Sequence, residues 1–492
     1  MRGTRSETER GTRSEPERGT RSEPERGTRS AIESASRSDP GHPRAAEAAV
    51  VAEPIRDDEA ARLFALLRSY RALVLAVSGG PDSMALMLLA ARWCDQLGAA
   101  APECLVVTVD HRLRPTAADE ARMVAAAAAR LGLPHRTVTW PQGAEACRAG
   151  GLQAAARAAR YALLADVANT IAQRPLALVT AHTEDDQAET VVMRLKRGSG
   201  LDGLAGIPKV RTVDTRGGEP RGAVSLVRPL LEVAKVRLVA TLVAADMPWV
   251  DDPSNDDQAF ERVRVRQDLV RLAEAGLSAK AIGQSARRLA RARAALDHAV
   301  SAFLARATDV HGGAYATIDR AALASESEEI RLRAILSLIA AFGGAGGPAR
   351  LDQVEDLVGR LGEPVFRGET LGGAIVRLRG EDVVVYREAG RGGMGMVGLE
   401  PGTQAIWDGR FEISLAEDAP APLEVGALGA NDGAVFRAAV GGRVANWPVE
   451  ALAAMPAFRN PDGVVVAVPG IGFAQCGDAR ADFIWPRTRR YD

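Results

Sequence analysis

Residues 72–84 read ALVLAVSGGPDSM. An apolar run of strand character breaks at Ser78-Gly79-Gly80-Pro81-Asp82-Ser83 and continues into MALMLLAARW, whose apolar residues recur with helical spacing. Two adjacent glycines permit positive φ and close approach of the backbone, so several N–H groups can converge on one oxyanion. The helix that follows adds the positive end of its dipole. Strand, glycine turn and helix start therefore make an anion site suited to phosphate. Gly-Gly-Pro-Asp alone is an ordinary turn; its flanks select the phosphate reading. The spacing is neither GxGxxG nor GxxxxGK[ST], since no Lys follows the glycines.

Outward from this turn, strand-like runs at Leu73–Val77, Cys104–Val109, Arg136–Trp140 and Leu176–Thr180 alternate with helical patterns such as Ala117–Leu131 and Gly151–Ile171, after a first helical stretch at Glu53–Tyr70. Such alternation predicts an α/β fold with a doubly wound parallel sheet covered on both faces, and ligands at the carboxyl ends of its strands. The second strand ends in Asp110-His111-Arg112-Leu113-Arg114, which alone reads as a polar turn. The fourth ends in Ala181-His182-Thr183-Glu184-Asp185-Asp186-Gln187-Ala188-Glu189-Thr190, with four carboxylates inside six residues. Charges so close repel unless a cation is near. At a helix start some of them complement the dipole; the other reading is Mg²⁺ held by oxygen ligands and bridging ATP phosphates.

The 492 residues suffice for two to four domains with sizeable cores. A formal net charge of −1 means that any nucleic-acid binding must come from local basic patches. Cys94, Cys104, Cys147 and Cys476 form no CxxC pair and no zinc spacing, which points to a reducing cytoplasm without a structural metal. No apolar span of membrane length is visible, so no membrane partner is expected. RGTRSETE, RGTRSEPE, RGTRSEPE and RGTRSAIE repeat in tandem from Arg2. A repeat without an apolar face cannot offset its ordering entropy, so residues 1–50 are expected to be a disordered tail.

Together the motifs carry a resemblance. SGGPDS resembles the PP-loop signature SGGxDS of ATP pyrophosphatases, which split ATP into AMP and pyrophosphate to adenylate a substrate. SGGPDS, DHRLR, Ala156-Arg157-Ala158-Ala159-Arg160-Tyr161, HTEDDQAET, Arg197-Gly198-Ser199-Gly200-Leu201-Asp202-Gly203-Leu204, Arg228-Pro229-Leu230-Leu231 and Asp252-Pro253-Ser254-Asn255 stand in the order seen in tRNA(Ile)-lysidine synthetases. The likeness covers residues 72–266. One departure follows DPSN: where the family carries an Arg-Asn-x-x-Arg run, this chain has Arg262-Val263-Arg264-Val265-Arg266, and Val263 cannot make the hydrogen bonds of an amide.

The resemblance implies a ligase that forms a C–N bond. ATP adenylates the C2 oxygen of the wobble cytidine in a CAU-anticodon isoleucine tRNA, and the ε-amine of free L-lysine displaces AMP. It implies ATP contacts from Ser78, Gly79, Gly80, Pro81, Asp82, Ser83, His111 and His182. Mg²⁺ would sit on Asp82 and Asp186, with Asp185 as an alternative in the catalytic set, and Glu189 would hold or deprotonate the lysine ammonium. Arg157 and Arg160, three apart on a helix, would touch tRNA or form a solvated stripe. A homodimer is compatible with this reading.

Downstream, residues 267–347 read as helical with a cluster of Arg287, Arg288, Arg291 and Arg293, expected to meet tRNA phosphates. Residues 348–492 read as a small mixed domain: a helix at Leu351–Leu361, a hairpin of Ala374–Arg379 and Asp382–Arg387, strands at Phe411–Leu415 and Val464–Val468, and Trp447, Phe458, Phe473 and Trp485 as core. The catalytic domain is thus expected over 51–266. Competing readings are a 2-thiocytidine synthetase, whose thiol chemistry resembles CxxC pairs absent here; a PP-loop amidotransferase or NAD synthetase, which would need an ammonia source; and a nucleotide sensor, which has little need of the carboxylates.

Overall fold

A computed structural model describes residues 52–111, 116–140, 152–213, 224–251, 261–344, 347, 349–363, 366–389, 394–475 and 479–485, with backbone alone over 152–158 and at 443. The repeat tail, residues 112–114, the DPSN run, Cys147 and Cys476 lie outside the described residues.

The first unit runs α1 (Asp57–Leu63), β1 (Ala72–Ala76), α2 (Pro81–Leu97), β2 (Glu103–Asp110), α3 (Ala117–Arg130), β3 (His135–Thr139), α4 (Leu152–Thr170), β4 (Leu176–Val179), α5 (Glu184–Lys196), β5 (Val210–Val213), β6 (Val224–Val227) and α6 (Lys235–Ala244). Its strands lie in the order β3-β2-β1-β4-β6-β5. All neighbours are parallel except β5 against β6. The two-residue period of β1 splits its side chains between two cores: Leu73 and Leu75 pack with Leu86, Leu89 and Trp93 of α2, while Ala72 and Val74 pack with Leu164, Val167 and Ala168 of α4. A buried leucine of this kind contributes about 1.5–3 kcal/mol. Strand order steps outward in both directions from β1 and β4, so the crevice at their carboxyl ends is the topological switch point. Both Ser78–Ser83 and Ala181–Thr190 emerge there.

The expected strands and helices of this unit are present with ends shifted by a few residues. Glu53–Tyr70 is instead two pieces, α1 and a 3₁₀ turn at Ala65–Ser69. Pro54 disfavours helical backbone at Glu53 and delays the helix.

The chain continues through α7 (Glu261–Glu274), α8 (Ala279–Ala307), β7 (Thr308–His311), β8 (Tyr315–Asp319), α9 (Glu328–Phe342), α10 (Leu351–Arg360), β9 (Glu369–Leu371), β10 (Ala374–Arg379) and β11 (Asp382–Arg387). These strands make an antiparallel sheet ordered β7-β8-β11-β10-β9. The β10–β11 hairpin has the expected ends, Ala374 opposite Arg387 and Arg379 opposite Asp382, with Gly380 at φ +61° in its turn. The β7–β8 hairpin stands inside the stretch expected to be helical. It turns on Gly312-Gly313, and its partner β11 is far downstream, where no local pattern reveals it. Helix α8 serves two cores. Ile282 packs with Ala188, Val192 and Val265, whereas Val300, Phe303 and Leu304 pack beneath the second sheet. The expected boundary at 266 falls within α7.

The remaining strands are β12 (Val397–Leu399), β13 (Gln404–Trp407), β14 (Phe411–Leu415), β15 (Leu423–Ala427), β16 (Pro456–Arg459), β17 (Val465–Val468), β18 (Phe473–Ala474) and β19 (Ala479–Phe483). They form two sheets, β12-β15-β16-β17-β18 and β13-β14-β19, around Trp407, Phe411 and Phe458. Trp447 and Phe473 pack half-buried on this core, and Trp485 on its neighbour. Among the described residues no helix is long and apolar enough to cross a membrane.

Candidate active site

The turn after β1 folds as its residues dictate. Gly79 takes φ +92°, a region L side chains avoid, and Gly80 caps α2 in an extended conformation with Pro81 in the first turn. Ser83 Oγ accepts from the Ser78 N–H at 3.1 Å and donates to the Gly80 carbonyl at 2.9 Å, closing the loop on itself. The Val250 N–H donates to the Gly79 carbonyl at 2.9 Å, bracing the turn from outside. The first amides of α2 lack intrahelical partners by geometry, so the loop offers donors to an anion.

Asp82 stands on the first turn of α2. Its side chain retains 26 % exposure, yet Oδ1 is sealed from solvent without a hydrogen-bond partner. The other oxygen, Oδ2, faces Lys235 Nζ at 3.4 Å. Burial pushes the Asp82 carboxyl up to about 6; Lys235 pulls it down, and the negative charge of Asp186 raises it further.

Helix α5 opens with a capping box. The Thr183 N–H and Oγ1–H both donate to Asp186 Oδ2, at 2.9 and 3.1 Å, and Thr183 Oγ1 accepts from the Asp186 N–H at 3.3 Å. Asp186 therefore holds the helix start as well as lending charge to Asp82. Asp185 accepts the Lys235 N–H at 2.8 Å, which ties the starts of α5 and α6 together. Glu184 is buried, and this, with Asp185 beside it, raises its carboxyl.

Glu189 is 2 % exposed, one turn further along α5. Arg266 of α7 donates from Nε to its Oε1 at 2.5 Å, and Arg262 Nε lies 4.0 Å from Oε2, which has no hydrogen-bond partner. Burial raises Glu189 against the pull of Arg266. Val263, between the two arginines, is a buried side chain of α7.

His182 pairs through Nδ1 with Thr180 Oγ1 at 3.0 Å. His111, at the end of β2, packs edge-on against Trp140 and accepts at Nε2 from the Arg160 guanidinium at 3.4 Å. Burial, with Arg160 beside it, pushes His111 down to about 4, so it is neutral near pH 7. Arg160 of α4 is thus brought to His111 at the β2 end, while Arg157 lies on the same helix with its side chain outside the described residues. Arg287 of α8 reaches back to Glu232 at 3.7 Å, which also takes Lys209 at 2.8 Å. Arg288 and Arg291 are exposed. Arg293 is not on that surface: it lies 3.9 Å from Asp202 Oδ1, which Arg333 of α9 grips through both oxygens at 2.7 and 3.2 Å.

Two cations in this site were not among the sequence candidates. Lys235 and Arg266 each contact a candidate carboxylate. A signal for Lys235 existed: a lysine at the first position of a helix opposes the dipole and asks for a reason. The RPLL motif supplies its footing, with Leu230 and Leu231 buried and Arg228 donating to the Pro208 carbonyl at 2.8 Å.

The glycine loop and acidic helix facing one another across a switch point define a PP-loop nucleotide-binding enzyme, and the PP-loop domain family matches residues 53–273. The tRNA(Ile)-lysidine synthase of Bradyrhizobium diazoefficiens is 44 % identical over 69 % of this chain and 98 % of its own length. Those of Methylobacterium nodulans and Ruegeria pomeroyi are 47 % and 36 % identical, over 65 % and 82 % of this chain and 91 % and 90 % of their own lengths. The chain belongs to the tRNA(Ile)-lysidine synthase family, and it is a ligase with an ATP-binding PP-loop domain.

Proposed function

We propose that this chain joins free L-lysine to C2 of the wobble cytidine of a CAU-anticodon isoleucine tRNA. The observation that carries this reading is the convergence of the Ser78–Ser83 loop and the Asp185, Asp186 and Glu189 helix on one crevice, within a chain whose relatives bear that name. In the first step the cytidine C2 oxygen attacks the ATP α-phosphorus, and pyrophosphate leaves. In the second the lysine ε-nitrogen bonds to C2, the C2–O bond breaks, and AMP departs with the oxygen while the amine loses a proton.

The loop and the α2 amides would bind the phosphates and absorb negative charge as pyrophosphate separates. Mg²⁺, held by one or two carboxylates and phosphate oxygens, would neutralise that charge further. The residues fit such an ion: Asp82 Oδ1 is buried without a partner, and Asp186 lies close enough to raise the Asp82 carboxyl. Glu189 would receive the lysine ammonium and take its proton, because only the neutral amine is nucleophilic. Arg266 donates to that carboxylate. His111, neutral beside Arg160, and His182 would line the nucleoside side of the crevice. Arg288 and Arg291, with Arg157 and Arg160, would meet tRNA phosphates, and Arg287 would join them from the rim.

Incubation with ATP, Mg²⁺, labelled lysine and a CAU-anticodon isoleucine tRNA transcript tests the proposal. Label in a cytidine-derived nucleoside is the expected result. Folded protein that binds ATP and leaves the nucleoside unlabelled overturns it.

A further inference from the structure

We infer that Lys235 is a catalytic residue of the adenylation step, a cation that leaves Asp82 and binds the β- and γ-phosphates when the divalent ion and ATP arrive; this rests on the reaction proposed above. Four observations converge on it. The Nζ lies 3.4 Å from Asp82 Oδ2, on the first turn of the phosphate-loop helix, so the ammonium stands at the mouth of the anion site. Lys235 is also fixed at its root, because its N–H donates to Asp185 Oδ2 at 2.8 Å at the start of α6. A lysine at that position sits against the positive end of its own helix, so local stability does not explain it. And the side chain is 41 % exposed, which leaves its four-carbon stem free to swing without unpacking a core.

Electrostatics then orders the events. Asp82 has one oxygen facing the ammonium and one with no hydrogen-bond partner. A divalent ion on Asp82 competes with the Lys235 charge for the same carboxylate and repels the ammonium. The polyphosphate delivered with that ion is the nearest alternative partner, and an ammonium on phosphate oxygens makes charge-assisted bonds that strengthen as charge develops on the leaving pyrophosphate. Lys235 thereby supplies the cation that a GxxxxGK[ST] loop would carry within the loop itself, and that SGGPDS lacks.

Calorimetric titration of ATP and of inorganic pyrophosphate into the full chain, with and without Mg²⁺, tests the inference by binding alone. Lys235→Gln should weaken both ligands about tenfold or more in Mg²⁺, as expected for loss of a charge-assisted contact, and much less without the metal. Lys235→Arg should stay within about threefold of the parent, since it keeps the charge. The N–H that holds Asp185 survives in every variant, and an unchanged Tm verifies the scaffold. Should Lys235→Gln not fold, Lys235→Met, whose unbranched stem fills the same space, replaces it. Parental affinity for pyrophosphate in the Gln or Met variant overturns the assignment. Failure of the reaction reading looks different: the parent would bind ATP in a Lys235-dependent way yet release no pyrophosphate with tRNA and lysine.

Discussion

At the residue scale, Asp82 couples stability to pH. Its carboxyl, pushed up to about 6, keeps its proton in the folded protein where an unfolded chain has already released it. The stability this contributes is present below the unfolded pKa near 4 and is lost as pH rises through 6. Asp82→Asn should therefore stabilise the ATP-free protein near neutral pH, on the order of 1–2 kcal/mol after allowing for its partial exposure, with the gain vanishing by about pH 4. Melting curves across that range check the sign. The same variant should release no pyrophosphate, since an amide is a poor ligand for a hard cation. Asp186→Ala differs. It removes half of the Thr183 capping box and should cost about 1 kcal/mol besides abolishing turnover, so its Tm falls where that of Asp82→Asn rises. A Tm for Asp186→Ala equal to the parent's would show that the cap carries no weight.

Elements were legible in sequence where their pattern was local. The ends of β10 and β11 follow from alternation around Gly380-Glu381, and β1 to β4 from apolar runs between helical stretches. The β7–β8 hairpin was not, because Tyr315–Asp319 is short and is stabilised by pairing with Asp382–Tyr386. In the site, the acidic run and the glycine loop announced themselves by composition, whereas which carboxylates Lys235 and Arg266 meet, Asp82 and Glu189, becomes visible only on folding. Arg293 looked like its exposed neighbours in sequence, yet it turns toward Asp202 beside Arg333. Arg333, 7 % exposed, ties Asp202 of the catalytic unit to Glu329 and Asp297 of α9 and α8. Arg333→Ala would remove the cation shared by these partly exposed carboxylates and should cost about 1–3 kcal/mol, whereas Arg293→Ala, whose nearest approach to Asp202 is 3.4 Å, should cost less. Chemical denaturation of both variants checks the ranking.

At the scale of the whole molecule, residues 2–50 open with a charged repeat, over 2–33, that has no apolar face. Their deletion should leave Tm and turnover unchanged; a loss of tRNA affinity that depends on salt would show that the arginines act on RNA. Arg288→Gln with Arg291→Gln should raise the tRNA KM and flatten its salt dependence while ATP binding stays at the parental level, because both side chains are exposed on α8. Unchanged tRNA kinetics would move the recognition surface elsewhere.

Helix α8 spans 29 residues, about 43 Å at 1.5 Å per residue. One end is clamped to α5, which carries the acidic cluster, and the other lies under the second sheet. It behaves as a ruler, setting the distance from the acidic cluster to the second sheet by the length of one rod. Shortening that rod by a single residue would rotate everything beyond it by about 100° and draw it in by about 1.5 Å.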